Sequence, residues 1–247
     1  TTTLVTGNST YMANIADRLT IQIDLSGFSF KITDPSGEIL KSGEKSFPSG
    51  VSSASDLESL LKKELSSLSI LSKKYDQTDV IVQTPVFTLV PAPLFQKESQ
   101  KEILSQVHHI EDMDEVMNIE IPEHDAVLIY AIPNAISSRI FKIQKKAKYT
   151  PMIYKMIQSV SSCTDHNKVF VHLSKGHIHI VAAEGDKLLL ANSYKANDFI
   201  TAQYYIFLVI KEVMFNPEFT TVQVFGTLEK SQLKSLSKYF KGVTIIS

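Results

Sequence analysis

One pattern of residues occurs twice in this chain, and the repeat limits the folds open to it more than any other feature. Residues 21–31 read Ile-Gln-Ile-Asp-Leu-Ser-Gly-Phe-Ser-Phe-Lys, and residues 169–180 read Val-Phe-Val-His-Leu-Ser-Lys-Gly-His-Ile-His-Ile. Each is a β-branched run, a tight turn containing Ser and Gly, and a second alternating run, which is the pattern of a β-hairpin. Aligning Asp24 with His172 sets the two copies more than half the chain apart. Two similar halves ordinarily enclose a cleft, and clefts at domain boundaries are where ligands bind. The same alignment sets an acid in the first half against a histidine in the second.

A length of 247 residues suits two domains of about 120 residues each. With 43% hydrophobic and 21% charged residues, each half can bury an ordinary core. The net charge of −1 leaves no basic stripe to neutralise phosphates, which argues against nucleic-acid binding. Cys163 is the single cysteine, so an internal disulfide is excluded and a reducing compartment is expected. A cationic stretch followed by an apolar one is absent at the start of the sequence, so no signal peptide is expected. Tyr204–Ile210 is too short to cross a bilayer and reads as a buried helix. Together these features predict a soluble cytoplasmic protein.

The first half opens with a Thr-rich stretch, and strands are predicted at Leu19–Asp24, Phe28–Thr33 and Glu38–Phe47. Asp34-Pro35-Ser36-Gly37 supplies the turn before the third, because Pro presets φ and Gly supplies a positive one. Ser55 and Glu58 form a capping box for a helix whose Leu57, Leu60, Leu61, Leu65 and Leu68 make one apolar stripe. Asp79–Gln83 follows as a strand parallel to the first. In the second half, strands are predicted at Lys168–Leu173, His177–Ala183 and Lys187–Ser193. A helix over Asp198–Phe215, a strand over Thr221–Phe225, a helix over Leu228–Phe240 and a strand over Gly242–Ile246 complete it. Between the halves, Asp125–Ala131 reads as a strand and Asn134–Lys146 as a helix with Pro133 at its first position. The β-β-β-α-β order is that of a ribonuclease-H-like domain. The predicted fold is α/β, with two such domains in tandem at residues 1–147 and 148–247 and helices flanking mixed sheets.

Several phrases carry a family resemblance. Thr88-Leu89-Val90-Pro91-Ala92-Pro93-Leu94-Phe95 resembles the strand followed by Val-Pro-Ala in Hsp70-type proteins. Tyr130-Ala131-Ile132-Pro133-Asn134-Ala135-Ile136 resembles the strand-to-helix junction of actin, and Val171–Gly185 resembles the second phosphate hairpin with its Glu-Gly turn. The order of these phrases is similar to that in the actin, sugar kinase and Hsp70 superfamily. More narrowly, nearly the whole chain resembles domain-of-unknown-function family 3822, uncharacterised Bacteroidetes proteins associated with an actin-like ATPase fold.

The resemblance implies a nucleotide site built from two glycine-containing turns, carboxylates for Mg²⁺, and a polar group that places the attacking water or hydroxyl. Asp24 stands at the first acid position, Gly27 keeps one glycine, and Leu25 and Ser26 depart from the Asp-x-Gly pattern. Lys31 stands at the spacing of actin's phosphate-contacting lysine. In the second turn the acid position holds His172 and a further acidic position holds Lys175. Imidazole is a poor magnesium ligand and ammonium repels the ion, although lysine can contact phosphate directly. The water-placing position falls on Pro133 or Asn134, and Phe225-Gly226-Thr227 replaces an expected adenosine-binding Gly-Gly pair. A Cβ at Thr227 obstructs close backbone approach. If ATP or ADP binds, Asp24, Ser26, Gly27, Lys31, Ser174, Lys175, Gly176 and Gly226 are the residues expected to line the cleft. No residue is assigned a catalytic or metal-binding role.

The expectation is therefore a catalytically degenerate actin-like protein that binds another protein or itself, with no membrane insertion. Degenerate members of the superfamily serve as bacterial scaffolds, which is analogy only. The alternative is an active ATPase or small-molecule kinase using Asp24 and Asn134. A further alternative places His172, His177 and His179 on one sheet face as a zinc site. The structural reading of that face is a solvated one, with Val169, Val171, Leu173, Ile178 and Ile180 on the buried side. Cys163, near Asp165 and His166, reads as a small buried hydrophobe, and His108-His109 as a surface pair. Tyr204, Tyr205, Phe207 and Phe215 read as core. The motifs Gly-x-Ser-x-Gly, Cys-x-x-Cys and His-Glu-x-x-His are absent.

Overall fold

The computed structural model describes residues 17–47, 54–174 and 176–246. The Thr-rich start, Lys175 and the Ser55 side chain with its capping box lie outside the described residues. The chain divides into two compact units. The first runs to Val86 and takes in Glu98–Met117 and Tyr130–Pro151; the second holds Phe87–Lys97, Asn118–Ile129 and the chain from Met152 onward.

In the first unit, β1 (Arg18–Asp24), β2 (Gly27–Thr33) and β3 (Ile39–Ser46) form an antiparallel meander. The helix α1 (Ala54–Ser67) follows, and β4 (Gln77–Val82) returns parallel to β1. A parallel return needs such a crossover. Next along the chain come β5 (Phe87–Pro91), which belongs to the second unit, α2 (Gln100–Ser105) of the first, and β6 (Glu115–Ile121) and β7 (Ala126–Ile132), which fall partly in each; these strands form a small sheet ordered β5-β7-β6. The helix α3 (Asn134–Ile143) leads to β8 (Lys148–Pro151), which pairs with β4 and completes a sheet ordered β3-β2-β1-β4-β8.

The second unit repeats that order. After α4 (Met152–Ser162), the strands β9 (Asn167–Ser174), β10 (Gly176–Glu184) and β11 (Lys187–Ala196) form a second meander. Then α5 (Phe199–Glu212) crosses to β12 (Thr220–Phe225), parallel to β9, and α6 (Lys230–Leu236) to β13 (Gly242–Ile246), parallel to β12. The sheet is ordered β11-β10-β9-β12-β13. Two ribonuclease-H-like domains in tandem, each α/β with a mixed sheet, are therefore present.

Alternation explains the strands. Leu19, Ile21 and Ile23 of β1 are buried, and the register sets them against Ile32, Phe30 and Phe28 of β2, so one face is continuously apolar. In α1, Leu57, Leu61 and Leu65 are buried, whereas Leu60 is half-buried and Leu68 lies beyond the helix, at the start of a 3₁₀ turn. The expected stripe is therefore shorter. In the second unit, Val169, Val171, Ile178, Ile180 and Ala182 pack with Ala202, Ile206, Val209 and Ile210 of α5 and Leu236 of α6. The opposite face carries Phe170, His172, His179 and Val181, and α4 packs against β9, β10 and β11. Met152, Ile153, Met156, Ile157 and Val160 of α4 are buried.

That arrangement corrects the expectation that the histidine face is solvated. A helix at Met152–Ser162 was not foreseen, and it covers the second face. Its C-terminal carbonyls are held by a buried lysine: Lys168 Nζ donates to the Val160 oxygen at 2.7 Å and to that of Cys163.

Several boundaries differ from expectation for local reasons. Pro133 is the residue before α3 rather than its first, and the helix stops at Ile143 because Gln144 turns inward. The Gln144 side chain donates to the Leu71 and Lys73 oxygens and accepts from Thr78. The helix α6 spans only Lys230–Leu236, starting where Glu229 and Gln232 form a capping box. Asp198 caps α5, and the helix ends well before Pro217. There the Phe215 amide donates to the Ile210 oxygen and the Met214 amide to that of Lys211, with Met214 at φ 56°. These bonds form a Schellman motif. On α5, Tyr204 is 61% exposed rather than core and Tyr205 and Phe207 are half-buried, whereas Phe215, just beyond the helix, is buried.

Candidate functional site

Each unit places a small concavity at its hairpin turn. In the first, Asp24 pairs with Gly27 across a two-residue turn of Leu25 and Ser26. Asp24 Oδ1 accepts from the Ser26 amide at 2.6 Å and from Ser26 Oγ at 2.7 Å, so the carboxylate is a turn cap. Gly27, at φ +155°, is demanded by packing, since a Cβ there would lie 2.3 Å from the Lys45 carbonyl oxygen of β3. The concavity beside this turn holds about 160 Å³ and is lined by Gln22, Asp24, Ser26, Ser29, Glu44 and Gln83 among others. Lys45 lies at its edge and pairs with Glu64 of α1 at 3.2 Å. Two carboxylates and one paired cation make this a poor cradle for a polyphosphate.

Asp24, Ser26 and Gly27 are thus brought together. Lys31 is not: it is exposed and faces Thr20 and Ser42 in register. Four residues along β2 from Gly27 is roughly 13 Å at about 3.3 Å per residue.

In the second unit, Ser174 pairs with His177 across a two-residue turn whose Gly176 has φ +88°. A concavity of about 260 Å³ is lined by Ser174, Gly176, His177, Asn197, Asp198 and Gln232, with Leu173 and Phe199 on its apolar side. Asp198 accepts from the Thr201 amide at 2.8 Å and from Thr201 Oγ1 at 3.1 Å. The amide bond, followed by the hydroxyl, holds its carboxyl below the usual range. A carboxylate therefore occupies the N-terminus of α5, where backbone amides otherwise attract anions. Among the described residues, no Lys or Arg lines this concavity.

The second acid position is occupied by chemistry of another kind. His172 is buried, and its Nδ1–H donates to the Phe225 carbonyl oxygen at 2.9 Å. His179, its cross-strand partner, is 0% exposed, and the two rings stack with centroids 5.9 Å apart and planes 11° from parallel. Neither ring nitrogen of His179 has a hydrogen-bond partner among the described residues. Burial, then the neighbouring His172 and His177, push its pKa down to about 3. Gly226, at φ +106°, belongs to this end of the sheet: a Cβ would lie 3.9 Å from His172 Nδ1. It is not among the residues lining the second concavity.

His177 stands apart from this pair, at the turn. Among the described residues, no group of three His, Cys, Asp or Glu side chains is arranged to hold a metal ion. Asn134 opens α3, and its carbonyl accepts from Ser137 Oγ at 3.3 Å. Cys163 is half-buried rather than buried, and Gln223 Nε2 donates to its sulfur at 2.6 Å. His109 is exposed and ion-paired with Glu111 at 3.2 Å.

The residues in hand do not fit a magnesium–nucleotide complex. One acid caps its own turn, the other is an imidazole buried against a second imidazole, and the α5 N-terminus carries a carboxylate. Gln22, Glu44, Gln83, Asn197 and Gln232 line the concavities without having been foreseen. Alternation alone places Gln22 beside Asp24, but Glu44, Gln83 and Gln232 arrive from other elements and have no local signal.

Comparison with known proteins agrees with the architecture. No curated protein matches the chain. A crystal structure from Bacteroides thetaiotaomicron, described as a protein with actin-like ATPase fold and unknown function, superposes with a TM-score of 0.79 at 24% identity, covering 94% of this chain and 91% of that one. The PilM-PilN type IV pilus biogenesis complex contains a chain that superposes with a TM-score of 0.57 at 10% identity, covering 93% of this chain and 88% of that one. The profile for Protein of unknown function (DUF3822) matches residues 11–243, so the chain belongs to that family, and its fold is that of the actin-like ATPases.

Proposed function

We propose that this chain is a catalytically degenerate actin-like protein that acts in the cytoplasm by binding a protein partner, and that it does not hydrolyse nucleotide. The observation that carries this reading is the buried His172–His179 stack, at the turn where the resemblance to actin-like ATPases leads one to expect an acid. An imidazole in a dry, closely packed setting neither binds magnesium nor orders its waters. The committed carboxylates Asp24 and Asp198 point the same way, because each serves its own turn or helix. Any residual anion contact falls to Ser174, Lys175 and Gly176 at the second turn, because Asp24 makes the first concavity acidic, Lys31 lies away from it and Gly226 lies outside the second. The same fold occurs in a PilM-PilN complex, which supports protein binding by analogy only. Among the described residues, no helix is long and apolar enough to cross a membrane.

The test is thermal unfolding with and without millimolar ATP or ADP and Mg²⁺, together with a phosphate-release assay. A ligand at about 100 times its dissociation constant stabilises by roughly 2.7 kcal/mol. In a chain of this size that raises the midpoint by roughly 5–10 °C. We expect neither a shift nor phosphate release. A shift and turnover that both vanish in Asp24→Asn would establish an active ATPase and overturn this reading.

A further inference from the structure

The net charge of −1 conceals an uneven distribution of charge. Residues 126–164 contain no Asp or Glu, yet carry Arg139, Lys142, Lys145, Lys146, Lys148 and Lys155. The lysines at positions 142–148 mark the end of α3 and the start of β8. The fold brings two more beside them. The Gln144 side chain donates to the Lys73 oxygen at 2.8 Å and so fastens the segment holding Lys73 and Lys74 against this turn. All six lysines are exposed, and among the described residues none of their ammonium groups has an ion-pair or hydrogen-bond partner. Lys45 and Lys241, by contrast, are paired with Glu64 and Asp165. One lysine answers the dipole at a helix C-terminus; six unpaired ones in one place repel each other.

The patch lies at the N-terminal ends of the parallel strands β1, β4 and β8, where Arg18 faces Gln77 and Lys148 faces Asp79 in register. Arg18 is exposed and adds a seventh cation, while Asp76, Asp79 and the buried Asp17 oppose them. Asp34 and Glu38, in the β2–β3 turn, lie three strand spacings from β8, about 14 Å, beyond the screening length of roughly 8 Å at physiological salt. The Asp24 turn is at the opposite end of β1, about 20 Å away, and the lysines border neither concavity. They project from a helix end and two connections, so they do not enclose a small ligand, whereas an extended anionic plane meets them together. Phe141, 57% exposed beside Lys142, adds an aromatic ring. Lysine point charges next to an exposed aromatic suit phospholipid headgroups. Bidentate recognition of phosphates or bases favours arginine, and Arg139 is committed to the Lys62 oxygen and Ser66 Oγ. We propose that this end of the first unit is a docking surface for an anionic phospholipid bilayer, on which the chain adsorbs without crossing. The proposal goes beyond the protein-binding reading and does not rest on it.

Co-sedimentation of the full chain with vesicles of phosphatidylcholine alone, and of phosphatidylcholine with roughly one-third phosphatidylserine, reads the adsorption directly. The chain should bind only the anionic vesicles, and more than about tenfold less tightly as NaCl rises from about 0.05 M to about 0.3 M. A lysine near the surface contributes about fivefold, so Lys145→Gln with Lys146→Gln should weaken binding by about 25-fold. Phe141→Ser should weaken it several-fold and leave its salt dependence unchanged. Lys234→Gln with Lys238→Gln, exposed in the second unit, alters net charge equally and should leave binding intact. All five positions are exposed, so circular dichroism should remain that of the wild type. Failure to bind anionic vesicles, equal binding to both kinds of vesicle, or equal loss in the Lys234 and Lys238 control would overturn the proposal. Tighter binding to polyglutamate or to a short DNA duplex than to vesicles, lost in Lys145→Gln with Lys146→Gln, would assign the patch to another polyanion and overturn it equally. None of those results touches the nucleotide assay, so failure of the bilayer surface and failure of the degenerate-site reading are separable.

Discussion

The most exposed consequence of the structure to experiment is the acid sensitivity built in by His179. In the folded chain its imidazole is buried with a pKa pushed down to about 3, and in the unfolded chain it takes the ordinary 6.5. The folded state therefore holds the neutral form while the unfolded state gains a proton. Stability is complete above pH 6.5 and declines as the pH falls toward about 3. At about 1.4 kcal/mol per pH unit, roughly 2 kcal/mol is lost by pH 5 and roughly 3 by pH 4. The substitution His179→Leu removes the titration. It also removes two buried nitrogens without partners, at a gain of about 1–3 kcal/mol, offset by up to about 1.5 kcal/mol of imperfect packing. The assay is guanidinium unfolding followed by circular dichroism at pH 7.5 and pH 5, on wild type and variant. The variant should match or exceed the wild type at pH 7.5, and its loss on going to pH 5 should be smaller by about 2 kcal/mol. Because the neighbouring His172 is one cause of the depressed His179 pKa, the wild-type minus variant difference is the quantity read. Equal losses in the two proteins, or a variant weakened by more than about 2 kcal/mol at pH 7.5, would refute the assignment of a neutral, unpartnered imidazole.

Four further substitutions test local arguments. Gly27→Ala drives a Cβ to 2.3 Å from the Lys45 carbonyl oxygen and should cost about 3 kcal/mol, seen as a lower urea midpoint. Gly37→Ala, with nothing within 4 Å of its Cβ but φ +93°, should cost only about 1 kcal/mol in the same assay. Met214→Gly relieves a left-handed residue that is 89% exposed, and should stabilise by about 0.5–1 kcal/mol, raising the thermal midpoint. Lys168→Met deprives the Val160 and Cys163 carbonyls of their donor, and should cost about 1–3 kcal/mol with faster hydrogen exchange in the last turn of α4.

The tandem architecture is legible in the chain because its signals are local. Period-two alternation in β1 and β2, the Glu-Gly-Asp turn before β11 and the apolar spacing in α1 each declare their element without reference to the rest of the molecule. Repetition of that order then declares two similar domains. Family membership follows from the same linear patterns. That His172 stands at the turn of the second hairpin, where Asp24 stands in the first, is equally a fact of the sequence.

What the chain could not announce is which second face is covered. His172, His177 and His179 alternate with apolar residues, and alternation reads as one wet face and one dry face. The structure buries His172 and His179 because α4 packs on that side of the sheet. Whether a strand is covered once or twice depends on where a distant segment docks, and no local pattern encodes that. The aromatic run of α5 shows the converse. Composition reads it as core, yet Tyr204 faces outward because only the Ala202, Ile206, Val209 and Ile210 side of the helix meets the sheet. Sequence determined the two sheets and the residues at each turn; tertiary packing decided which of those residues meet solvent, because burial is a property of neighbours far apart in the chain.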